Sequence, residues 1–114
     1  MTLFDIVRKL ELKVKAGSDH LDREVTGGYA SDLLSDVMAN GESGNVWLTL
    51  QSHPNVIAVA SLKDLAGIIL VNSREPAEET VTKAAEEGVP VLVSGLPTFE
   101  LAGKLYELGV PGRD

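Results

Sequence analysis

Apolar residues fall along this chain in short runs, and the spacing within each run predicts an alternation of helices and strands. Leu3, Ile6, Val7 and Leu10 recur at three- and four-residue intervals, which buries one face of an N-terminal helix. Thr2 stands where the N-cap belongs, and Asp5 follows three residues on, near the positive helix end. Leu10, Leu12 and Val14 then alternate with Glu11, Lys13 and Lys15, a strand period. Ala16-Gly17-Ser18-Asp19 reads as a turn, and the polar, glycine-bearing residues 22–29 as a loop or strand–loop junction. Residues 31–39 read as a short helix, capped by Ser31 and closed by Asn40-Gly41. Val46-Trp47-Leu48-Thr49-Leu50 predicts a buried strand, and Ser52-His53-Pro54-Asn55 a turn. Val56-Ile57-Ala58-Val59-Ala60 is ambiguous by period, and its Val and Ile lean it toward a strand. Ser61-Leu62-Lys63-Asp64-Leu65 then reads as one or two helical turns.

The C-terminal half is patterned more clearly. Gly67-Ile68-Ile69-Leu70-Val71 is continuously apolar, the mark of a strand buried on both faces of a parallel sheet. A helix opens with Pro76, Glu78 and Glu79 and ends at Gly88. Val89-Pro90-Val91-Leu92-Val93 is the next strand, and Ser94-Gly95-Leu96-Pro97-Thr98 leads into a helix that turns Phe99, Ala102, Leu105 and Tyr106 inward and ends at Gly109. Glu87-Gly88-Val89-Pro90 returns as Leu108-Gly109-Val110-Pro111, twenty-one positions later, so Val110 is expected to open another strand. Either that edge strand is cut short or the module is excised from a longer protein. Short crossovers of this kind pack right-handed, which gives an α/β fold: a layered, largely parallel sheet with βαβ units in the C-terminal half.

Composition narrows the picture. The 114 residues suit one domain spanning 1–114. A content of 44% apolar and 24% charged residues is that of a globular protein. Ten basic against seventeen acidic residues give a net charge of −7, which repels phosphate backbones and anionic lipid, so neither nucleic acid nor membrane is an expected partner. No cysteine is present, which excludes disulfides, thiolate zinc sites and cysteine nucleophiles. The longest apolar run, residues 65–71, is far short of the roughly 20 residues a spanning helix needs. Asp5, Arg8 and Lys9 interrupt the N-terminal apolar stretch, unlike a signal peptide, so a cytoplasmic location is expected.

Candidate chemistry is sparse. Neither a Gly-x-x-x-x-Gly-Lys-Ser/Thr phosphate loop nor a Gly-x-Gly-x-x-Gly dinucleotide loop occurs, and no serine sits in Gly-x-Ser-x-Gly. His20 and His53 are far apart, with no spacing that builds a metal site, and no cofactor is expected. Asn72-Ser73 and Ser94-Gly95 occupy equivalent places after consecutive strands. Loops there hold anions on free helix amides, or their polar residues simply cap the helices. Gly27-Gly28, after Thr26, permits positive φ or the close approach of another chain. Arg23, between Asp22 and Glu24, either forms a local ion pair or presents its fork to an acidic ligand.

Taken together, Asp22-Arg23-Glu24-Val25-Thr26-Gly27-Gly28-Tyr29, residues 31–38, Val46-Trp47-Leu48-Thr49 with His53 and Asn55, and Ala58-Val59-Ala60 resemble the DRTGG domain over essentially residues 1–110. The motif that names the family is interrupted here, Glu24-Val25 standing between Asp22-Arg23 and Thr26-Gly27-Gly28. The resemblance implies a regulatory or structural module, such as those beside the kinase domain of HPr kinase/phosphorylase, inside long phosphate acetyltransferases and with CBS domains in pyrophosphatases. The expected function is therefore non-catalytic: self-association as a homodimer and regulation of a partner enzyme. Gly27-Gly28 and the helix bearing Leu33, Leu34, Val37 and Met38 are expected near the interface. The alternative is a sensor of a nucleotide or other anionic metabolite at the strand ends. The candidate ligand-binding residues are Arg23, Thr26, Gly27, Gly28, His53, Asn55, Asn72, Ser73, Ser94 and Gly95; no catalytic or metal-ligating residue is expected.

Overall fold

The computed structural model describes residues 1–112. Helix α1 (Leu3–Leu10) leads into strand β1 (Lys13–Ala16) and a 3-10 turn (Ser18–His20). The chain continues through β2 (Gly27–Ala30), α2 (Leu34–Asn40), β3 (Asn45–Thr49), α3 (Asn55–Leu62), β4 (Gly67–Leu70), α4 (Glu78–Glu87), β5 (Val91–Val93) and α5 (Thr98–Glu107). The five strands form one sheet in the order β1-β5-β4-β3-β2. Strands β2 to β5 are parallel, and β1 joins antiparallel to β5, with an irregularity between Val14 and Ala16. The expected α/β class, with a mostly parallel sheet, is what the chain adopts.

Side chains alternate across this sheet and define two cores. Val46, Leu48, Ile69, Val71 and Leu92 face α1 and α5, against Leu3, Ile6, Leu101 and Leu105. Trp47, Ile68, Leu70, Val91 and Val93 face the other way, against Val37 of α2, Val56, Ile57, Val59 and Ala60 of α3, and Ala84 of α4. Three crossovers that step along the sheet in one direction with one hand must share a face, which is why α2, α3 and α4 lie together.

Helix α1 begins as its sequence signals. The Thr2 hydroxyl accepts the Asp5 amide at 3.2 Å, and the Asp5 carboxylate accepts the Thr2 amide at 3.0 Å. The Thr2 amide, then the Thr2 hydroxyl, hold the Asp5 carboxyl below the usual aspartate range. Gly88 closes α4 in the left-handed conformation, φ 69°. At Gly17, φ is 76° and a Cβ would lie 2.5 Å from the Pro90 Cα, so only glycine lets this turn pass beside the strand entering the sheet.

Four expectations are corrected. Residues 56–60 form most of α3 instead of a strand: β3 and β4 are parallel neighbours, so the chain between them must cross back, and burial against the sheet outweighs the β-preference of Val and Ile. Ser31 does not cap α2, which starts at Leu34; the Ser31 hydroxyl accepts the Leu33 amide one step earlier. Residues 22–29, read as a loop or a strand–loop junction, are the junction: the loop passes into the edge strand β2 at Gly27. In α5, Phe99 is 87% and Tyr106 66% exposed while Leu101 is fully buried. Two helical residues apart is about 200°, so Phe99 and Leu101 cannot share a face. Val110 opens no strand. Its amide donates to the Leu105 carbonyl, its side chain is buried, and the Pro111 carbonyl accepts the Gly28 amide at 3.0 Å.

Candidate functional site

Successive strands deliver their loops to the carboxyl edge of the sheet. From β4 the chain turns to α4 on one face, and from β5 to α5 on the opposite face, so the β4–β5 boundary is a topological switch point. Asn72-Ser73 and Ser94-Gly95 meet there. The Asn72 amide donates to the Leu96 carbonyl at 2.9 Å and the Ser73 amide to the Ser94 carbonyl at 2.8 Å, so the two loops are laced together. The buried Ser94 hydroxyl accepts the Leu96 amide at 3.1 Å. Asn72 and Ser73 both have φ of 56°, in the left-handed region, a conformation costing about 1–3 kcal/mol for non-glycine residues. Their amides are committed to β5-loop carbonyls, leaving the exposed Asn72 and Ser73 side chains as the groups that can meet a ligand. Beside Ser94, the end of α1 and the flank of α5 enclose a hollow of about 510 Å³ that carries Lys9 and Lys104, with Glu11 and Glu107.

His53 and Asn55 lie at the same edge, exposed, on the turn from β3 into α3; the His53 carbonyl accepts the Val56 amide. The remaining four candidates do not join them. Arg23 lies below the opposite, amino edge, where one guanidinium nitrogen donates to the Leu65 carbonyl at 3.2 Å and another to the Gly88 carbonyl at 2.9 Å, just before β4 and β5. Its neighbour Glu24 pairs instead with the Met1 ammonium, at 3.1 Å. The Thr26 amide and hydroxyl donate to the Gly44 and Ser43 carbonyls ahead of β3. Gly27 and Gly28 are outside the positive-φ region. What Gly27 permits is close approach: a Cβ there would lie 3.0 Å from the Asn45 side-chain nitrogen Nδ2 and 3.2 Å from the Pro111 carbonyl oxygen, whereas a Cβ at Gly28 would make only ordinary contacts. The ten candidates thus divide between the two ends of the sheet.

Two features were missed by sequence reasoning. The Asp32 carboxylate accepts the Thr49 hydroxyl at 2.9 Å and the Leu50 amide at 2.7 Å, closing the carboxyl end of β3. An aspartate shortly after a strand was its signal, but its partners are seventeen and eighteen residues away. The second is an apolar cleft of about 270 Å³ between the β2 edge and α5, floored by Gly28, Ala30 and Leu48 and walled by Ala102 and Tyr106. The interface expected on α2 is corrected in part: Val37 is core, Leu34 and Met38 pack half-buried against it, and of that group Leu33 is exposed. Among the described residues, no group of three or more His, Cys, Asp and Glu could hold a metal ion, and no helix is long and apolar enough to cross a membrane.

No family model matches the sequence, and no curated protein matches it. A solved structure does match: the CBS and DRTGG domains of the regulatory region of Clostridium perfringens pyrophosphatase, complexed with its activator diadenosine tetraphosphate. The TM-score is 0.71 over 90% of this chain. The two share a fold. Sequence identity is 10%, and this chain covers 44% of the length of the one it matches.

Proposed function

We propose that this chain is a DRTGG-type regulatory module that self-associates as a homodimer and passes regulation to a partner enzyme without catalysing a reaction itself. The observation that carries the reading is the shared fold: nine-tenths of the chain follows part of a regulatory region. The apolar cleft beside the β2 edge, with Gly28 in its floor, supports self-association, since open apolar surface beside an edge strand invites a partner. Light scattering on the eluting peak of a sizing column, at about millimolar loading, is expected to give twice the 12.1 kDa chain mass. A monomer at that concentration would refute self-association.

A second reading is favoured by the strained Asn72-Ser73 pair at the switch point, because strain of this kind collects at ligand-binding sites. In it the module senses a nucleotide or other anionic metabolite at the carboxyl edge, through Asn72, Ser73, Ser94 and Gly95, with His53 and Asn55 at the same end. The matched structure holds a dinucleotide activator, which supports the choice of ligand class. A thermal-shift panel of diadenosine tetraphosphate, ATP, ADP and acetyl phosphate tests it. A true ligand at 100 times its Kd stabilises the fold by about 2.7 kcal/mol. Silence across the panel would remove the sensor reading and leave the regulatory one.

A further inference from the structure

Asn45 opens β3 at the amino edge of the sheet and is only 8% exposed. Its side-chain oxygen accepts the Glu42 amide at 2.9 Å, which fixes the orientation of the amide group. The nitrogen Nδ2 therefore faces away from Glu42, toward the Gly27 backbone, and among the described residues it donates to no atom. A donor so nearly buried ordinarily has a partner, because taking it out of water unpaired is costly. Gly27 keeps the space before it open. A Cβ there would lie 3.0 Å from Nδ2 and 3.2 Å from the Pro111 carbonyl oxygen, so a side chain would crowd the amide. The space belongs to a cavity of about 240 Å³ lined by Thr26, Gly27, Glu42, Ser43, Asn45 and Pro111.

We propose that this cavity binds a compact polyhydroxyl ligand, a monosaccharide, whose hydroxyls accept from Asn45 Nδ2 and donate to the acceptors around it. Those acceptors are set by bonds already made. The Thr26 hydroxyl spends its proton on the Ser43 carbonyl at 3.2 Å, and the Ser43 hydroxyl spends its own on the Asp64 carboxylate at 2.7 Å, so each has lone pairs left to offer. The exposed Glu42 carboxylate forms no ion pair among the described residues and is a third acceptor. A phosphate or carboxylate has no proton for these groups and is repelled by Glu42. A cation has no lone pair for Nδ2 and meets the positive end of the Asn45 amide. A hydroxyl both donates and accepts, so it satisfies both sides. The volume lies below the roughly 300–1,000 Å³ of pockets for drug-sized ligands, which suits a single sugar ring. This site is at the opposite end of the sheet from Asn72 and Ser94 and does not rest on the sensor reading above. It gives Thr26-Gly27 a use that the fold alone does not.

Nitrogen-15 NMR on the full chain is the test, with D-glucose, D-galactose and D-ribose titrated separately and glycerol as control. At least one sugar is expected to move the Asn45 side-chain amide signals saturably, while glycerol at the same concentration does not. Gly27→Ala, which fills the space before Nδ2, is expected to weaken that binding by about 10-fold, the scale of a lost hydrogen bond. Glu42→Ala is expected to weaken it by a similar factor and, being exposed, to keep the wild-type circular-dichroism melting point, so it decides the matter if Gly27→Ala fails to fold. Asn45→Asp retains an acceptor for the Glu42 amide but removes the donor, and is expected to abolish binding. Asn45 signals that no sugar moves, or that glycerol moves equally, would overturn the proposal. Sugar binding of unchanged affinity in folded Gly27→Ala or in Glu42→Ala would overturn it as well.

Discussion

Truncating Trp47 to alanine is expected to destabilise the fold by about 3–5 kcal/mol, most of the stability of an ordinary small domain. Trp47 sits in the middle of β3 with no exposed surface, packed in the core that Val37, Val56, Ile57 and Ile68 share. Alanine removes the transfer free energy of the indole and leaves a cavity that the sheet and α3 can only partly close. The indole N–H also donates to the Ser31 carbonyl at 2.8 Å, tying the turn after β2 to the sheet. Trp47→Phe separates the two effects. It keeps most of the ring and loses the donor, so it should cost about 1–2 kcal/mol less than alanine. Urea unfolding of the three proteins measures this directly, and an alanine variant within about 1 kcal/mol of wild type would contradict the packing described.

The second large effect falls on Arg23. Its guanidinium donates to two carbonyls, Leu65 and Gly88, that lie forty-two and sixty-five residues away and enter adjacent strands. Hydrogen bonds from a charged donor contribute about 1.5–3 kcal/mol each, and partial exposure puts these at the lower end. Arg23→Met, which keeps the packed stem, is expected to cost about 2–3 kcal/mol. Arg23→Lys should recover less than half, since an ammonium lacks the fork that spans two acceptors. The urea midpoint of each variant decides the matter. An unchanged midpoint in Arg23→Met would mean that the guanidinium is not a strut between β4 and β5.

Much of this was legible in the chain. Residues 67–71 are apolar without alternation because β4 is covered on both faces, and Pro76, Glu78 and Gly88 bracket α4 by local chemistry alone. Asn72-Ser73 and Ser94-Gly95 could be paired because they follow neighbouring strands. Their lacing could not, since it runs between backbone atoms of two loops. The strand containing Gly27 and Gly28 was hidden for a related reason: it pairs through backbone, and its glycines leave no apolar alternation to read. Helix α3 was missed because four of its eight residues are buried, which erases the polar face that marks a helical period. Topology held the correction, since two parallel strands in succession require a crossover. Arg23 looked like a ligand grip because its acceptors are carbonyls that no side-chain pattern reveals.

Among the described residues, strand β1 has its one sheet partner in β5, Lys13 lying opposite Val93. Contacts between segments so distant in sequence are slow to close, because a long loop must be ordered before they form. During synthesis the first strand therefore emerges without a neighbour and waits until β5 has left the ribosome. Its alternating lysines, Lys13 and Lys15, keep that waiting segment charged and discourage it from pairing with another nascent chain.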